Sequence, residues 1–342
     1  MRVLFDATYA RRAPLSGTAV YIERVCAELE RLDVVELIPV ANERRRAPAG
    51  GGLGSLRNLA ADQWWLTVEL PRLARRERAQ LVHHPLPARS PATRLPQVVT
   101  VADLAFERLP VCFDRRFRLY AHVTHRAAAR AAARVLTISE TTAADVRELW
   151  RVPAERITVA RLGPGQALPP IERERDPRHF LYVGDEEPRK NLGDLLAAYA
   201  LYRARARAPL ELVLAGSAHA HAPGVRSVRG PSPDALAELY GGAAALVQPS
   251  LYEGFGLPAL EAMSVGTPVI AVRSPGTVEV CADAVRYAAP RDPADLAAAM
   301  EELASSPELA VQLANRGHRR AAEFSWASCA RAHLAAYSLA VA

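Results

Sequence analysis

Short apolar runs alternate with stretches of helical periodicity along the whole chain. Val3 to Phe5 reads as a strand that meets Asp6, and the turn-rich segment Ala13-Pro14-Leu15-Ser16-Gly17-Thr18 follows it. Val20, Ile22, Val25, Cys26 and Leu29 then fall near a 3.6-residue spacing, which predicts an amphipathic helix. Strand, glycine turn and helix make the first half of a βαβ unit. Val34 to Val40 reads as a second strand, and residues 44–58, with four arginines and several glycines, as a mobile loop. Leu81 to His84 is a short strand stopped by Pro85, and Val98 to Val101 a β-branched strand that ends at Ala102-Asp103. Arg134 to Ile138 is another, ending where Ser139 or Thr141 caps a helix.

The segment from Gly163 to Pro177, rich in glycine, proline and charge, reads as a linker. The alternation then restarts, with strands at 179–183, 211–215, 244–248 and 268–272 and helices at 191–206, 233–241 and 258–265. Strands alternating with helices at this rhythm predict parallel, doubly wound sheets, and largely apolar strands fit sheets covered on both faces. A chain of 342 residues is too long for one typical core. The expected fold is therefore α/β with two Rossmann-like domains facing across a cleft, residues 1–165 and 166–342. Residues 292–340 should supply two or three closing helices, the last of which has the option of returning to the first domain.

Charge divides the two halves. Residues 1–165 carry net +9 and residues 166–342 net −3, so the halves are expected to meet different ligands. No apolar run approaches the ~18 residues that span a bilayer, and the opening strand meets Asp6 too early for a signal peptide. The expectation is a cytoplasmic protein. Cysteines 26, 112, 281 and 329 form no close pair, and His219-Ala220-His221 has no acidic or cysteine neighbour, so neither a disulfide framework nor a metal is expected. Aromatic residues are only 6% and do not interleave with charge, which argues against nucleic-acid binding.

Candidate chemistry concentrates in two loops of the second half. Pro249-Ser250-Leu251-Tyr252-Glu253-Gly254-Phe255-Gly256-Leu257-Pro258 leads from a strand into a helix that Pro258 starts well. Such a loop offers the free N–H groups of a helix N-terminus to an anion, and Gly254 and Gly256 permit close approach. Glu253 stands at the strand end, and Glu261, eight positions on, is suited to hold the two hydroxyls of a ribose. The second loop, Gly184-Asp185-Glu186-Glu187-Pro188-Arg189-Lys190-Asn191-Leu192, sets two cations before a helix. A guanidinium fork and a compact ammonium suit a diphosphate. Of 43 basic residues 42 are arginine, so the single lysine, Lys190, argues for a chemical need there.

The chain resembles the retaining GT-B glycosyltransferases of family 4 (glycosyl transferases group 1), from Met1 to about Trp326 and most specifically between 180 and 283. Glu253 through Glu261 matches that family's Glu-x7-Glu motif, and Glu-Pro-Arg-Lys-Asn-Leu its diphosphate-binding turn. The resemblance implies a sugar moved from a nucleotide diphosphate donor with retention of configuration, and no metal or cofactor. The donor is expected at Gly184, Arg189, Lys190, Gly254, Phe255, Gly256, Leu257 and Glu261, with Glu253 and Asp103 catalytic and Gly17 in a loop that touches phosphate or acceptor. The acceptor would be a glycan, a lipid-linked species or a small molecule, held by the first domain. The phosphate turn is similar to that of many mannosyltransferases, which makes mannose from GDP-mannose the preferred sugar.

Three positions depart from the family pattern. Asp185 stands where many relatives have arginine, leaving the phosphates to Arg189 and Lys190. One glycine, Gly17, replaces a glycine-rich loop, which leaves an ordinary turn as the other reading. Ala102 replaces the histidine that usually precedes Asp103; His83 or His84 could fill the gap, or both are buried core histidines. An inactive GT-B binding subunit, or a nucleotide-sugar hydrolase or phosphorylase of the same fold, therefore stands beside the transferase. The arginines between 115 and 134 form either a solvated helical face or one that meets anionic lipid, giving peripheral membrane contact.

Overall fold

The computed structural model describes residues 1–13, 16–46, 53–166, 168 and 177–342. It divides into two compact units. One comprises Met1–Glu107, Asp114–Gly163 and Trp326–Ala342, the other Arg108–Phe113 and Pro164–Ser325. The expected boundary thus moves to Gly163/Pro164, and most of the expected linker lies outside the described residues. The helix Trp326–Val341 is part of the first unit. It lies so close to Gly163 that a Cβ there would stand 2.6 Å from the Trp326 ring.

Each unit is built on a six-stranded sheet in which every pairing is parallel. The first contains β1 (Arg2–Asp6), β2 (Glu36–Val40), β3 (Leu81–His84), β4 (Gln97–Val101), β5 (Arg134–Thr137) and β6 (Ile157–Val159), in spatial order β2-β1-β3-β4-β5-β6. The second contains β7 (His179–Gly184), β8 (Glu211–Gly216), β9 (Val225–Arg229), β10 (Ala243–Gln248), β11 (Val269–Val272) and β12 (Arg286–Ala288), in order β12-β11-β10-β7-β8-β9. Strand order reverses between β1 and β3 in the first sheet and between β7 and β10 in the second. Beyond the carboxyl ends of such neighbours lies the crevice where open α/β sheets take ligands. Every residue of β3, β10 and β11 is buried, because helices cover both faces.

Several elements differ from the sequence expectation. Residues 53–58 are not loop: the helix Leu53–Trp64 runs through a π-helical turn, Trp65–Glu69, into the helix Leu70–Arg76. Asn58, Ala61, Trp65, Leu70 and Ala74 are buried along it. A polar, glycine-flanked start and the irregular register of the π turn obscure that stripe in the sequence. The remainder of the expected mobile loop, residues 47–52, lies outside the described residues. The edge strand β9 reads Val-Arg-Ser-Val-Arg and is mostly exposed, so it carries no apolar run. The helix Pro275–Cys281 and the three-residue β12 also went unpredicted, being too short to show a period. Ser139 caps the helix Glu140–Trp150, its Oγ accepting from the Thr142 N–H. No helix among the described residues is long and apolar enough to cross a membrane.

Candidate active site

The crevice between β7 and β10 is formed by the two loops singled out in the sequence. After β7, the turn Pro188–Lys190 ends at Asn191, whose φ of 57° sets the start of the helix Leu192–Arg205. After β10, Pro249 to Gly256 leads into the helix Leu257–Ser264, and Gly256 takes a φ of 105° that only glycine adopts without strain. The loops are stitched together. The Leu251 N–H donates to Arg189 O at 2.9 Å, and Asn191 Nδ2 donates to Asp194 Oδ2 at 2.7 Å and to Pro249 O at 3.3 Å.

This stitching brings opposite charges together. Lys190 Nζ donates to Glu253 Oε1 at 2.7 Å, and Arg189 Nη1 reaches Glu253 Oε2 at 3.5 Å and Tyr252 O at 3.4 Å. Arg189 Nε also pairs with Glu187 Oε2 at 2.7 Å. Glu253 is only 6% exposed, and burial by itself would raise its pKa; the Lys190 and Arg189 charges, with hydrogen bonds from Lys190 and Ser250, outweigh that and hold the carboxyl below its ordinary range. It is therefore an anion at neutral pH and unfit to give up a proton. Its chemistry is electrostatic: it can stabilise adjacent positive charge, while the two cations can neutralise an anion that enters beside it.

Close backbone approach fixes the geometry. A Cβ on Gly276 would lie 2.0 Å from Glu253 O, and one on Gly216 would lie 2.5 Å from Gly184 O. Both positions require glycine because the neighbour is backbone and cannot give way. Behind the loop, Gln248 Nε2 donates to Thr277 Oγ1 at 3.2 Å, and Thr277 and Ser274 share a 2.9 Å hydrogen bond. Sequence reasoning missed Gly276, Thr277 and Asn191. Only Asn191 left a local signal, as a residue tolerant of positive φ directly before a helix.

The other predicted positions sort themselves out. Gly184, Gly254, Gly256 and Leu257 line the same two loops as Arg189, Lys190 and Glu253. Phe255 turns its ring into the core against Phe324, centroids 5.7 Å apart, so its side chain faces away from the crevice and only its backbone remains to meet a ligand. Glu261 is buried: Oε1 accepts from the Gln166 N–H at 3.0 Å and Oε2 from Tyr240 Oη at 2.8 Å.

Asp103 belongs to the first unit, where Oδ1 accepts from the Ala105 N–H at 2.9 Å and starts the helix Ala105–Arg108. Gly17 is the exposed first residue of the helix Gly17–Arg31, capped by Ser16; the neighbouring Pro14 and Leu15 lie outside the described residues. His83 does not stand in for the missing histidine. It is buried between Thr100 Oγ1 at 2.8 Å and Tyr337 Oη at 2.6 Å, in a network that continues through Tyr21 to His333. His84 is also buried, with Nε2 3.1 Å from Gln97 Oε1 and Nδ1 3.9 Å from Asp6 Oδ2.

With this geometry in hand, likeness to known proteins becomes informative. Residues 167–320 match the glycosyl transferases group 1 and residues 15–163 match glycosyltransferase family 4. The MMP alpha-(1->4)-mannosyltransferase of Mycolicibacterium hassiacum is 33% identical over 278 residues, covering 76% of this chain and 65% of that protein. The O-antigen chain mannosyltransferase B of Escherichia coli is 32% identical over 229 residues, 60% of each. The matched region thus spans less than two thirds of either relative. Anabaena Alr3699/HepE, solved in complex with UDP and glucose, superposes with a TM-score of 0.70 at 16% identity, covering 99% of both chains. Two parallel sheets of this construction, matched by family across both units, make the chain a member of the group 1 glycosyltransferases of GT-B fold.

Proposed function

We propose that the chain transfers a sugar, mannose by preference, from a nucleotide diphosphate donor to a glycan, lipid-linked or small-molecule acceptor with retention of configuration. The observation that carries this reading is the buried Glu253 carboxylate beside Lys190 and Arg189 at the crevice between β7 and β10. The two cations and the N–H groups after Gly256 would take the diphosphate and stabilise it as it leaves. Glu253, kept ionised, would face the donor sugar as positive charge develops. Glu261 would exchange its bonds to Gln166 and Tyr240 for the ribose hydroxyls. In the first unit, Asp103 would orient the acceptor or the sugar, and Gly17 would present a helix N-terminus. Retention and the absence of a metal rest on the likeness to family 4, and mannose on the two mannosyltransferase relatives. The UDP-bound neighbour supports a nucleotide-sugar donor.

The test is thermal stability against GDP-, UDP-, dTDP- and ADP-sugars, for wild type and Lys190→Ala. A donor at a hundred times its Kd adds about 2.7 kcal/mol. One donor should stabilise wild type, and that increment should vanish in the variant; no increment from any donor would overturn the reading. Ala102 favours a second reading, an inactive binding subunit, which predicts the same donor increment without turnover.

The same reading takes the protein to be cytoplasmic and in peripheral contact with the membrane. The helix Arg115–Ala131 exposes Phe117, Leu119, Tyr120 and Val123 among its arginines, a mixture suited to anionic lipid. Sedimentation with phosphatidylglycerol vesicles tests it: no binding would remove this part.

A further inference from the structure

The arginine run expected to be a mobile loop is pinned in place. Asn42, fully buried just after β2, accepts from the N–H groups of Arg44 at 3.1 Å and Arg45 at 3.3 Å and donates to Ala61 O at 3.1 Å. Asn58, buried on the helix Leu53–Trp64, accepts from the Arg46 N–H at 3.0 Å and donates to Arg46 O at 3.2 Å. Two buried amides thus hold three consecutive arginines against one helix. Arg12, on the segment leaving β1, donates to Asn42 O at 3.2 Å and Glu43 O at 3.1 Å.

These residues enclose a hollow of about 480 Å³ in the first unit, lined by Arg12, Arg44, Arg45, Arg46, Arg57 and Trp64, with Glu43 the one acid among the described residues of its wall. The charges do not balance. Arg11 and Arg12 share Glu43, Arg44 takes Glu69, and Arg45 takes Asp62. Arg46 and Arg57 are exposed, and among the described residues neither side chain meets a carboxylate. Two uncompensated guanidinium forks match a phosphoryl dianion. Trp64 is 46% exposed, its indole N–H anchored on Glu69 at 2.9 Å and Arg44 over its ring at 5.9 Å, so it offers a fixed flat apolar face. The neighbouring Trp65 turns the other way, its Nε1 donating to Asp6 Oδ2 at 2.9 Å. The hollow opens beyond the carboxyl ends of β1 and β2, the edge at which α/β sheets take ligands.

We propose that this hollow binds the phosphoryl group of a phosphorylated sugar or sugar carrier, with the sugar ring against Trp64. This narrows the acceptor of the transfer reaction proposed above, and rests on that reading, to an anionic phosphate-bearing class. Calorimetric titration with mannose 6-phosphate and mannose, and sedimentation with phosphatidylcholine vesicles with and without polyprenyl phosphate, test it on wild type and on the double variant Arg46→Ala/Arg57→Ala. Neither arginine has a carboxylate to lose, so the variant should fold, and its nucleotide-sugar thermal increment should equal that of wild type. For a soluble acceptor, mannose 6-phosphate binds wild type at least tenfold more tightly than mannose, and the variant loses that margin. For a carrier-linked acceptor, wild type sediments with the polyprenyl phosphate vesicles alone and the variant does not. Equal behaviour of wild type and variant toward both probes, or binding of neither, overturns the proposal. Binding at the hollow in a protein that takes up no nucleotide sugar would instead refute the transfer reading and leave the hollow standing.

Discussion

The two sheets reverse strand order at comparable places but fill the resulting crevices differently. Between β7 and β10, ions dominate: a buried carboxylate, an ammonium and a guanidinium, held by loops that approach to backbone distance at Gly276 and Gly216. Between β1 and β3 the hydrogen bonds run among neutral partners around one carboxylate. Asp6 accepts from Trp65 and from Thr8, and His84 lies buried beside it. Deeper in that unit, Tyr21, His83, Thr100, His333 and Tyr337 form a second closed network. The second unit thus keeps charge poised where a ligand can enter, while the first locks these polar groups away and gathers at its hollow arginines without carboxylate partners among the described residues. Similar backbone topology does not distribute chemistry evenly; the loop residues decide it.

Removing the charge at the centre of the second crevice should separate the two most strongly. Glu253→Gln keeps the shape and should lower the transfer rate about 100-fold or more, roughly 3 kcal/mol of barrier. Steady-state kinetics at saturating donor checks it, and an unchanged rate would end Glu253's catalytic assignment.

Acid should act on the two units in successive pH windows. Burial pushes His83 well below the ordinary 6.5 and His333 down to about 4, so both are neutral in the fold while the unfolded chain takes up protons. Stability is then lost as pH falls below 6.5, by about 1.4 kcal/mol per pH unit for each histidine. Glu253 has the same sense in a lower window: with its pKa held below the ordinary 4.5, its contribution is present above that value and lost only beneath it. Denaturant titration from pH 7 to 4, repeated on His83→Gln/His333→Gln, should show a flatter profile in the variant. Parallel profiles would disprove the histidine account.

Smaller still should be the glycine contact. Gly276→Ala places a methyl group 2.0 Å from Glu253 O and should destabilise the fold by about 1–3 kcal/mol while weakening donor binding. Gly17→Ala, at an exposed helix start, should change stability by less than about 1 kcal/mol. Equal thermal shifts for the two would mean that the loop adjusts freely.

How much of this was readable in the sequence follows from whether a residue's partner is local. Glu253 and Lys190 stood out because each sits in a short strand-to-helix loop with its own glycine and proline signals, although their mutual contact spans 63 positions. β10 and β11 showed themselves as apolar runs, whereas β9 did not, being an exposed edge rich in arginine. Gly276 could not have been picked out, since its need for a bare Cα comes from a loop some 20 residues earlier. The helix Leu53–Trp64 was lost among arginines and glycines, and with it the hollow those arginines line. His83, readable from sequence as a core histidine or a substitute at the site, is a core residue, with Thr100 and Tyr337 on its two nitrogens.

The return of the helix Trp326–Val341 to the first unit carries a consequence for the order of synthesis. Tyr21 waits for His333, 312 positions downstream, and His83 for Tyr337. On the ribosome every residue of the second unit is therefore made before the first unit receives its last helix. The first unit begun is the last completed, and until then His83, Thr100 and the apolar groups around them lack the cover of that helix. Loop closure over so long a separation is slow, so the earliest-made half of the molecule is the one that most needs protection from aggregation while the chain is finished.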